Sequence, residues 1–328
     1  MAQRTLQLVT EATNIVKKVL ADIGQRHPLP RPPAKLFHYS SLEVLQNIVG
    51  SRSVRLSHAE YSNDHRELKE ATDLINKERM DLANNSGQYN VFFDEVGQEL
   101  DTRIKDLDVY VFCMCEGDNN GPASADLLSQ WRAYARDGRG GALVLEKAGV
   151  DRITNHFPGL RSDYVIYDQN IQRLLVRGIL ELGYSNFRHH YNDPSVREAT
   201  VEALVHCIPL MKHGGFREER EWRLIYTPIY PGTRPTIQFH PRRDFLAPFV
   251  DLLDLWKNVR PSLVTDSWRP PFPNIPPPPD DDIVPIKGVV VGPSLHQALN
   301  VRTMGLVAAR WQPQLPIDAS TIPYRSIE

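Results

Sequence analysis

The sequence predicts an α+β fold, and three observations support the prediction. Helical and strand patterns alternate irregularly along the chain instead of forming a regular βαβ series. With 41% hydrophobic and 24% charged residues over 328 positions, the composition is that of a globular protein that can bury a core. No internal repeat is present, so a solenoid is excluded.

The N-terminal segment reads as one helix followed by a stiff connector. Apolar residues from Leu8 to Ile23 recur at helical spacing over residues 1–24, and Gly24 is a natural stop. Four prolines follow between His27 and Pro33. We therefore predict an N-terminal helix and connector over 1–34 and a single α+β domain over 35–328. A disordered proline-rich insertion is expected within that domain at about 268–283.

Short elements fill the domain in a mixed order. Ser40 with Glu43, and Asp64 with Glu67, have capping-box spacing at two helix starts. Strands are predicted at 36–39, 53–57, 109–115, 140–146 and 286–291. Helices are predicted at 42–49, after 64, and at 126–135, 169–182, 195–212 and 294–310.

Charge and cysteine content limit the function classes. The formal net charge of -2 gives no overall attraction to nucleic acid or to an anionic membrane. Three cysteines cannot form a disulfide framework, no signal peptide opens the chain, and no window resembles a membrane span. We therefore expect a cytoplasmic protein without membrane partners.

One predicted strand, at 216–226, carries more charge than strands normally tolerate. Alternation places Glu219, Glu221 and Arg223 on one face and Trp222 and Leu224 on the other. Two interpretations stay open. The face is either a solvated edge with cross-strand ion pairs or a set of functional carboxylates beside a guanidinium.

Three further groups carry polar or aromatic side chains. His38 with Ser40 lies before a capped helix, where backbone N–H groups favour an anion, although Ser40 can be a simple cap and His38 a core residue. Asn63, Asp64 and Glu67 lack a companion set at ligand spacing, so we predict no metal site.

The third group is the helical segment 129–134. Trp131 and Tyr134 are three residues apart and share a helix face. They serve either core packing or the stacking of a flat ligand.

Four pieces of sequence, taken in order, carry a family resemblance: LFHYSSL (36–42) with SNDHRE (62–67), VFC (111–113) with LSQWRAY (128–134), FREEREWRL (216–224), and VVGP (290–293) with IPYR (322–325). Together they resemble the bacterial domain of unknown function 2971. That pattern is in turn similar to the ADP-ribosyltransferase superfamily. The resemblance implies an ADP-ribosyltransferase-like split β-sheet core with attached helices and NAD as substrate.

The resemblance also implies roles for single residues. Glu221 would hold the ribose under attack and Glu219 would be the leading acid of an E-x-E pair. His38 would hold an NAD ribose hydroxyl, and Tyr134 or Trp131 would stack on nicotinamide. Apart from the resemblance, a pyrophosphate needs cationic or backbone donors, for which Arg132, Arg223 and the helix start at Ser40 are candidates. The full set implied for NAD binding is His38, Tyr39, Ser40, Asn63, Gln130, Trp131, Arg132, Tyr134 and Arg223.

Three functions follow as expectations. The first is an NAD-dependent, toxin-like or defence effector that transfers ADP-ribose to a nucleic acid or protein, with a neutralising or regulatory protein as a compatible partner. The alternative is a non-catalytic nucleotide-sensing module that signals through the N-terminal helix. The third is a metal-dependent nuclease or hydrolase using His38, Asp64 and Glu67. A fixed carboxylate suits the first function, because breaking the glycosidic bond of NAD develops positive charge on ribose.

Overall fold

The structure of the protein is a computed structural model. It is built around a mixed β-sheet that divides at one strand. The structure describes residues 2–61, 66–85, 91–105, 107–117, 126–157, 159–190, 193–228, 236–242, 244–255 and 284–324. Its helices are α1 (Ala2–Gly24), α2 (Leu42–Ser51), α3 (Glu67–Asn85), α4 (Val91–Lys105), α5 (Leu128–Ala133), α6 (Lys147–His156), α7 (Gln169–His189), α8 (Pro194–Cys207) and α9 (Gln297–Trp311). Its strands are β1 (Lys35–Ser40), β2 (Arg55–His58), β3 (Tyr110–Glu116), β4 (Gly141–Glu146), β5 (Leu160–Tyr164), β6 (Glu221–Tyr226), β7 (Ile237–Pro241), β8 (Leu246–Asp251), β9 (Ile286–Val291) and β10 (Ile317–Ala319).

The division occurs at β3, which meets three other strands. One edge of β3 pairs with β6 along its whole length, and β6 pairs in turn with β5. The other edge pairs with β1 at Cys115 and Glu116 and with β2 at Tyr110 and Val111. The β1 branch continues through β4, β9 and β10, and the β2 branch continues through β8 and β7. In the described registers, residues 112–114 pair with neither branch, which leaves a gap between β1 and β2.

The two faces of β3 and β6 differ in chemistry. We call the face with Cys113, Cys115, Glu221 and Arg223 the polar face, because cross-strand partners share a face. The opposite face carries Tyr110, Phe112, Met114, Trp222, Leu224 and Tyr226, all within one apolar core with α2, α6 and α9. We call it the aromatic face.

Helices cover the polar face in two separate places. Buried residues of α1, α3, α4, α7 and α8 pack with Val111 and Ile225 at one end. At the other end, Trp131 and Ala135 pack with Phe37, Tyr39 and Cys115. The α1 helix therefore shares a core with the rest of the chain, mainly against α7 and α8. Between these two apolar clusters lies the polar seam that contains Arg223 and Glu221.

The structure confirms the α+β class and corrects several predicted elements. The strand after the double glycine begins at Glu221, because residues 214–219 form a 3₁₀ helix that ends at Arg220 with φ 42°. The interpretation of this strand as a solvated edge is wrong, since β6 lies between β3 and β5 and every residue in it is buried.

Smaller corrections concern helix ends and omitted elements. The cap of α2 is Ser41, whose hydroxyl accepts from the Val44 N–H at 3.3 Å, because β1 extends through Ser40. The α5 helix is shorter than predicted, and α4, α6, β5, β7, β8 and β10 were not predicted. The capping pair involving Asp64 and the proline-rich insertion at 268–283 lie outside the described residues.

Candidate functional site

Lys212 is the centre of the polar seam. This buried lysine follows α8, and its ammonium group lies 2.7 Å from Glu219, 3.1 Å from Glu221 and 3.1 Å from Glu67. Burial lowers the pKa of Lys212, but the three carboxylates outweigh that effect and raise it above its ordinary value. Lys212 is therefore a fixed positive charge that holds one carboxylate from the start of α3 and two from the segment where a 3₁₀ helix leads into β6.

Arg223 is the second cation of the seam. Its Nε and Nη2 bind the two oxygens of Glu221 at 2.8 and 3.0 Å, which is a bidentate pair. Nη2 also donates to Glu67 at 2.8 Å, and Nη1 donates to the Pro209 carbonyl at 2.8 Å. The guanidinium thus ties β6 to the start of α3 and to the 3₁₀ turn at Ile208–Leu210 that follows α8.

Glu221 is fully engaged by these cations. Burial alone raises the pKa of Glu221, yet Arg223 and Lys212 outweigh burial and lower it to about 2. The backbone N–H of Glu221 donates to the Tyr167 hydroxyl at 3.0 Å. The Glu221 carboxylate is consequently an anion at neutral pH whose oxygens are held by protein groups.

Glu219 is the more accessible carboxylate of the pair. Its side chain is 16% exposed, and one oxygen binds Lys212 while the other accepts from the Tyr134 hydroxyl at 2.6 Å. Tyr134 is 37% exposed. Burial and the bond to Glu219 raise the pKa of Tyr134, so the phenol stays protonated and donates. Glu219 and Tyr134 form the edge of the seam that solvent reaches.

Cys113 forms the floor of the seam at the gap between the two sheet branches. Its side chain is exposed, and its thiol donates to Glu221. Burial by surrounding protein nonetheless raises the pKa of Cys113 well above its usual range, with Glu221 adding to the effect. A side chain that solvent reaches but protein largely surrounds is expected at the bottom of a cleft. Because its pKa is raised, the Cys113 thiol is a poor nucleophile.

His38 approaches the same strand position from the other side of the sheet. Phe37 pairs with Cys115 and lies on the polar face, so His38 lies on the aromatic face, with its ring 4.3 Å from that of Phe112. Its Nδ1 is 2.8 Å from the Cys113 carbonyl oxygen. Cys113 therefore contacts both His38, through its carbonyl, and Glu221, through its thiol.

The structure places the remaining predicted site residues in different environments. Trp131 is 0% exposed and donates from Nε1 to Asp126 at 3.1 Å, so a ligand cannot stack on it, and the core-packing interpretation is correct for this ring. Tyr39 is buried edge-on against Trp131 at 4.7 Å.

Three others lie outside the seam. Gln130 is buried in α5, Arg132 is exposed and bonds Tyr324 instead of approaching Arg223, and Ser40 ends β1 without capping α2. Asn63 lies outside the described residues.

Lys212 and Cys113 were missed as site residues, and Glu67 was considered only as a helix cap or metal ligand. A signal for Lys212 is present, because a lone lysine ends the buried run 208–211 just before Gly214 and Gly215. Among the described residues, no group of three or more His, Cys, Asp or Glu side chains suits a metal ion. Glu67, a candidate ligand in the third predicted function, is bound instead by Lys212 and Arg223.

Comparison with known proteins identifies one family. A sequence profile of the family described as "Protein of unknown function (DUF2971)" matches residues 130–224, which confirms the resemblance over that segment. The match contains Tyr134, Lys212, Glu219, Glu221 and Arg223, whereas His38 and Glu67 lie outside it. No curated protein and no solved structure matches the chain.

Proposed function

We propose that the protein is an NAD-dependent ADP-ribosyltransferase that modifies a macromolecular acceptor, and that Glu219 is the carboxylate that contacts the substrate. One observation carries the proposal. Glu219 is a partly exposed carboxylate that is held by Lys212 and joined to an accessible tyrosine, in the same seam as the exposed residue Cys113.

The reaction requires negative charge close to the reacting ribose. The bond between C1′ and the nicotinamide nitrogen breaks, and its electron pair leaves with nicotinamide. An oxygen or nitrogen of the acceptor then bonds to C1′ and releases its proton to water. Positive charge develops on the ribose during this exchange, so a carboxylate that is already oriented lowers the barrier.

The contacts of the seam give each of its residues a separate role in the proposed reaction. Glu219 accepts a hydrogen bond from the ribose hydroxyl next to C1′, and Tyr134 offers an aromatic surface at the rim. Lys212 fixes the orientation of Glu219, and Glu221 with Arg223 fixes Lys212. Glu221 is thus a positioning residue in this proposal, which differs from the role that the family resemblance implied.

Two features concern the cellular compartment in which the proposed reaction would take place. No helix among the described residues is long and apolar enough to cross a bilayer. The three cysteines are free thiols, which suits the reducing cytoplasm. We therefore propose a cytoplasmic toxin-like or defence effector, whose acceptor is a nucleic acid or a protein.

A nucleotide-sensing module without catalysis is the second candidate, and a specific observation favours it. Both oxygens of Glu221 are already bound by Arg223 and Lys212, as in a structural ion-pair network. In that case NAD would bind at the cleft and stay intact.

The experiment measures nicotinamide release from NAD by the full chain in the presence of a cell extract as acceptor source. We expect Glu219→Gln to lower turnover by about 100-fold or more, since a lost transition-state contact costs several kcal/mol. The matched control is Glu218→Gln, which alters the exposed neighbouring acid and should leave turnover unchanged.

Two results discriminate between the candidates. Equal turnover by Glu219→Gln and wild type would contradict the proposed role of Glu219. NAD that binds, by calorimetry, but is never consumed would favour the sensing module. Thermal unfolding of both variants checks that the fold is intact.

A further inference from the structure

Strand β7 is an edge of the sheet that its own side chains leave unprotected. In the part of the chain that the structure describes, β5, β7 and β10 each pair with a single strand. Charged side chains discourage such an edge from pairing with another chain, and β5 carries Arg161 and Asp163 while β10 carries Asp318. Residues 237–241 of β7 include no Asp, Glu, Lys or Arg. Of these three edges, β7 is therefore the one that can accept a further strand without a charge in the way.

An exposed apolar strip runs along β7 and β8. Ile237 and Phe239 lie on one face of β7, and Leu246 of β8 lies on the same face because it pairs with Pro241. The exposed fractions of Ile237, Phe239 and Leu246 are 39%, 60% and 60%. Val250, which pairs with Ile237, is buried in the core of the aromatic face. The strip is thus a solvent-exposed continuation of that face, and an apolar patch of this kind marks an interaction surface.

The turn between β7 and β8 determines which backbone groups of β7 point outward. The Arg242 N–H donates to the Phe245 carbonyl at 2.8 Å, so these two residues form a hydrogen-bonded pair across the turn. In an antiparallel ladder, bonded and non-bonded pairs alternate, and the β7–β8 register runs without a shift. The N–H and C=O groups of Ile237 and Phe239 therefore point away from β8.

Two prolines agree with this assignment. Pro241 in β7 and Pro248 in β8 both fall at non-bonded positions of the β7–β8 ladder, where neither strand needs an N–H from the other. The Pro241 carbonyl points outward with the backbone groups of Ile237 and Phe239. The outer edge of β7 consequently offers two N–H donors followed by one residue that can only accept.

We propose that β7 is the contact of a homodimer, in which the β7 strands of two copies pair antiparallel about a two-fold axis at Phe239. The two Phe239 residues exchange N–H···O=C bonds, and the Ile237 N–H of each copy donates to the Pro241 carbonyl of the other. Such pairing is self-complementary, because the acceptor-only residue lies opposite a donor. The dimer does not depend on the activity proposed for Glu219.

The side chains of the strip are compatible with the same axis. Pairing of this kind joins the apolar strips of the two copies on one face of a continuous sheet, with the Phe239 rings side by side. On the other face, Gln238 of one copy lies opposite His240 of the second copy. No two like-charged carboxylates or basic side chains of residues 237–241 meet, so charge does not oppose the association.

Sedimentation velocity of the full chain over a range of concentrations tests the proposal. We expect a dimer that dissociates on dilution. Phe239→Lys would place two lysines against each other at the axis, so it should weaken dimerisation by about tenfold or more. The matched control is Leu299→Lys, which adds the same charge at a 61% exposed residue of α9, and it should dimerise as wild type does. Thermal unfolding of both variants checks the fold.

Amide hydrogen exchange then locates the contact on the strand. The Ile237 N–H is bonded only in the dimer, so it should exchange about tenfold or more faster in Phe239→Lys than in wild type. The amides of Gln238 and His240, which point toward β8, should change less. The proposal is overturned if wild type is a monomer up to millimolar concentration, if Phe239→Lys dimerises as tightly as wild type, or if the Ile237 amide exchanges equally fast in both.

Discussion

Two buried charge networks in this protein differ in their balance of charge. The seam network consists of Glu67, Lys212, Glu219, Glu221 and Arg223, in which three carboxylates share two cations. The second network consists of Arg103, Glu202 and His206, in which one carboxylate lies 2.5 Å from a guanidinium and 3.4 Å from an imidazole.

The difference separates a structural network from a functional one. Burial lowers the pKa of His206, Arg161 and Arg103 add to that effect while Glu202 opposes it, and the charge of Arg103 balances that of Glu202. Counted over the part of the chain that the structure describes, the seam keeps one carboxylate in excess, and that excess lies next to the accessible edge formed by Glu219 and Tyr134. An uncompensated carboxylate at an accessible edge favours positive charge in a ligand or transition state.

The largest expected effect tests how strongly each network depends on its guanidinium. Arg223→Met leaves Glu221 and Glu67 with Lys212 as their shared cation in the seam, and we expect a loss of about 3–5 kcal/mol in the free energy of unfolding. Arg103→Met should cost less than half as much, because the Arg103 side chain is 45% exposed and its charge is screened by solvent. Urea denaturation measures both, since urea does not screen charge. Equal losses would contradict the contrast between the networks.

A second prediction concerns pH. The pKa values of Glu221 and Glu202 are both about 2 in the folded protein, because for each carboxyl the neighbouring cations and hydrogen bonds outweigh burial. A carboxyl group with a lower pKa in the folded state binds fewer protons there, so its stabilisation is complete above the unfolded value and is lost as pH falls toward 2. Each group should contribute about 3 kcal/mol at neutral pH.

The measurement is the free energy of unfolding of wild type, Glu221→Gln and Glu202→Gln between pH 7 and pH 2. The difference between wild type and each variant should shrink between about pH 5 and pH 2. A difference that stays constant with pH would show that the carboxylate is not stabilised by its charge. Glu198→Gln, which alters an exposed partner of Arg4, is the control and should show little pH dependence.

The chemistry of β6 was predictable from sequence, but its place in the sheet was not. Alternation correctly put Glu221 and Arg223 on one face and Trp222 and Leu224 on the other. The same pattern failed at Glu219, because the charged residues at 217–220 do not distinguish a strand from a 3₁₀ turn. Strand β5 was missed because its sequence LRSDY lacks apolar alternation. Without β5 as a second neighbour, the sequence does not indicate that β6 is a central strand.

The seam itself depends on contacts between distant residues. Arg223 and Glu67 are 156 positions apart, and no local pattern links them. Of the helices that were not predicted, α4 could have been predicted from the sequence, because Phe92, Phe93, Val96 and Leu100 recur at helical spacing. Local pattern therefore predicts which side chains share a face, whereas the partner of a buried charge follows only from tertiary structure.

The smallest expected change in stability tests whether the accessible edge of the seam matters for function. Tyr134→Phe removes one hydroxyl that donates to Glu219, and the loss in free energy of unfolding should be about 1 kcal/mol or less. Tyr324→Phe removes a similar bond to Asp137 at 2.6 Å, away from Glu219, and should cost a similar amount. The two variants are thus matched in stability and differ only in position.

If the seam is the site of NAD turnover, Tyr134→Phe should lower turnover at least tenfold while Tyr324→Phe leaves it within about twofold, because Glu219 loses one of the two groups that orient it. Equal turnover by both variants, at equal stability, would place the working carboxylate elsewhere.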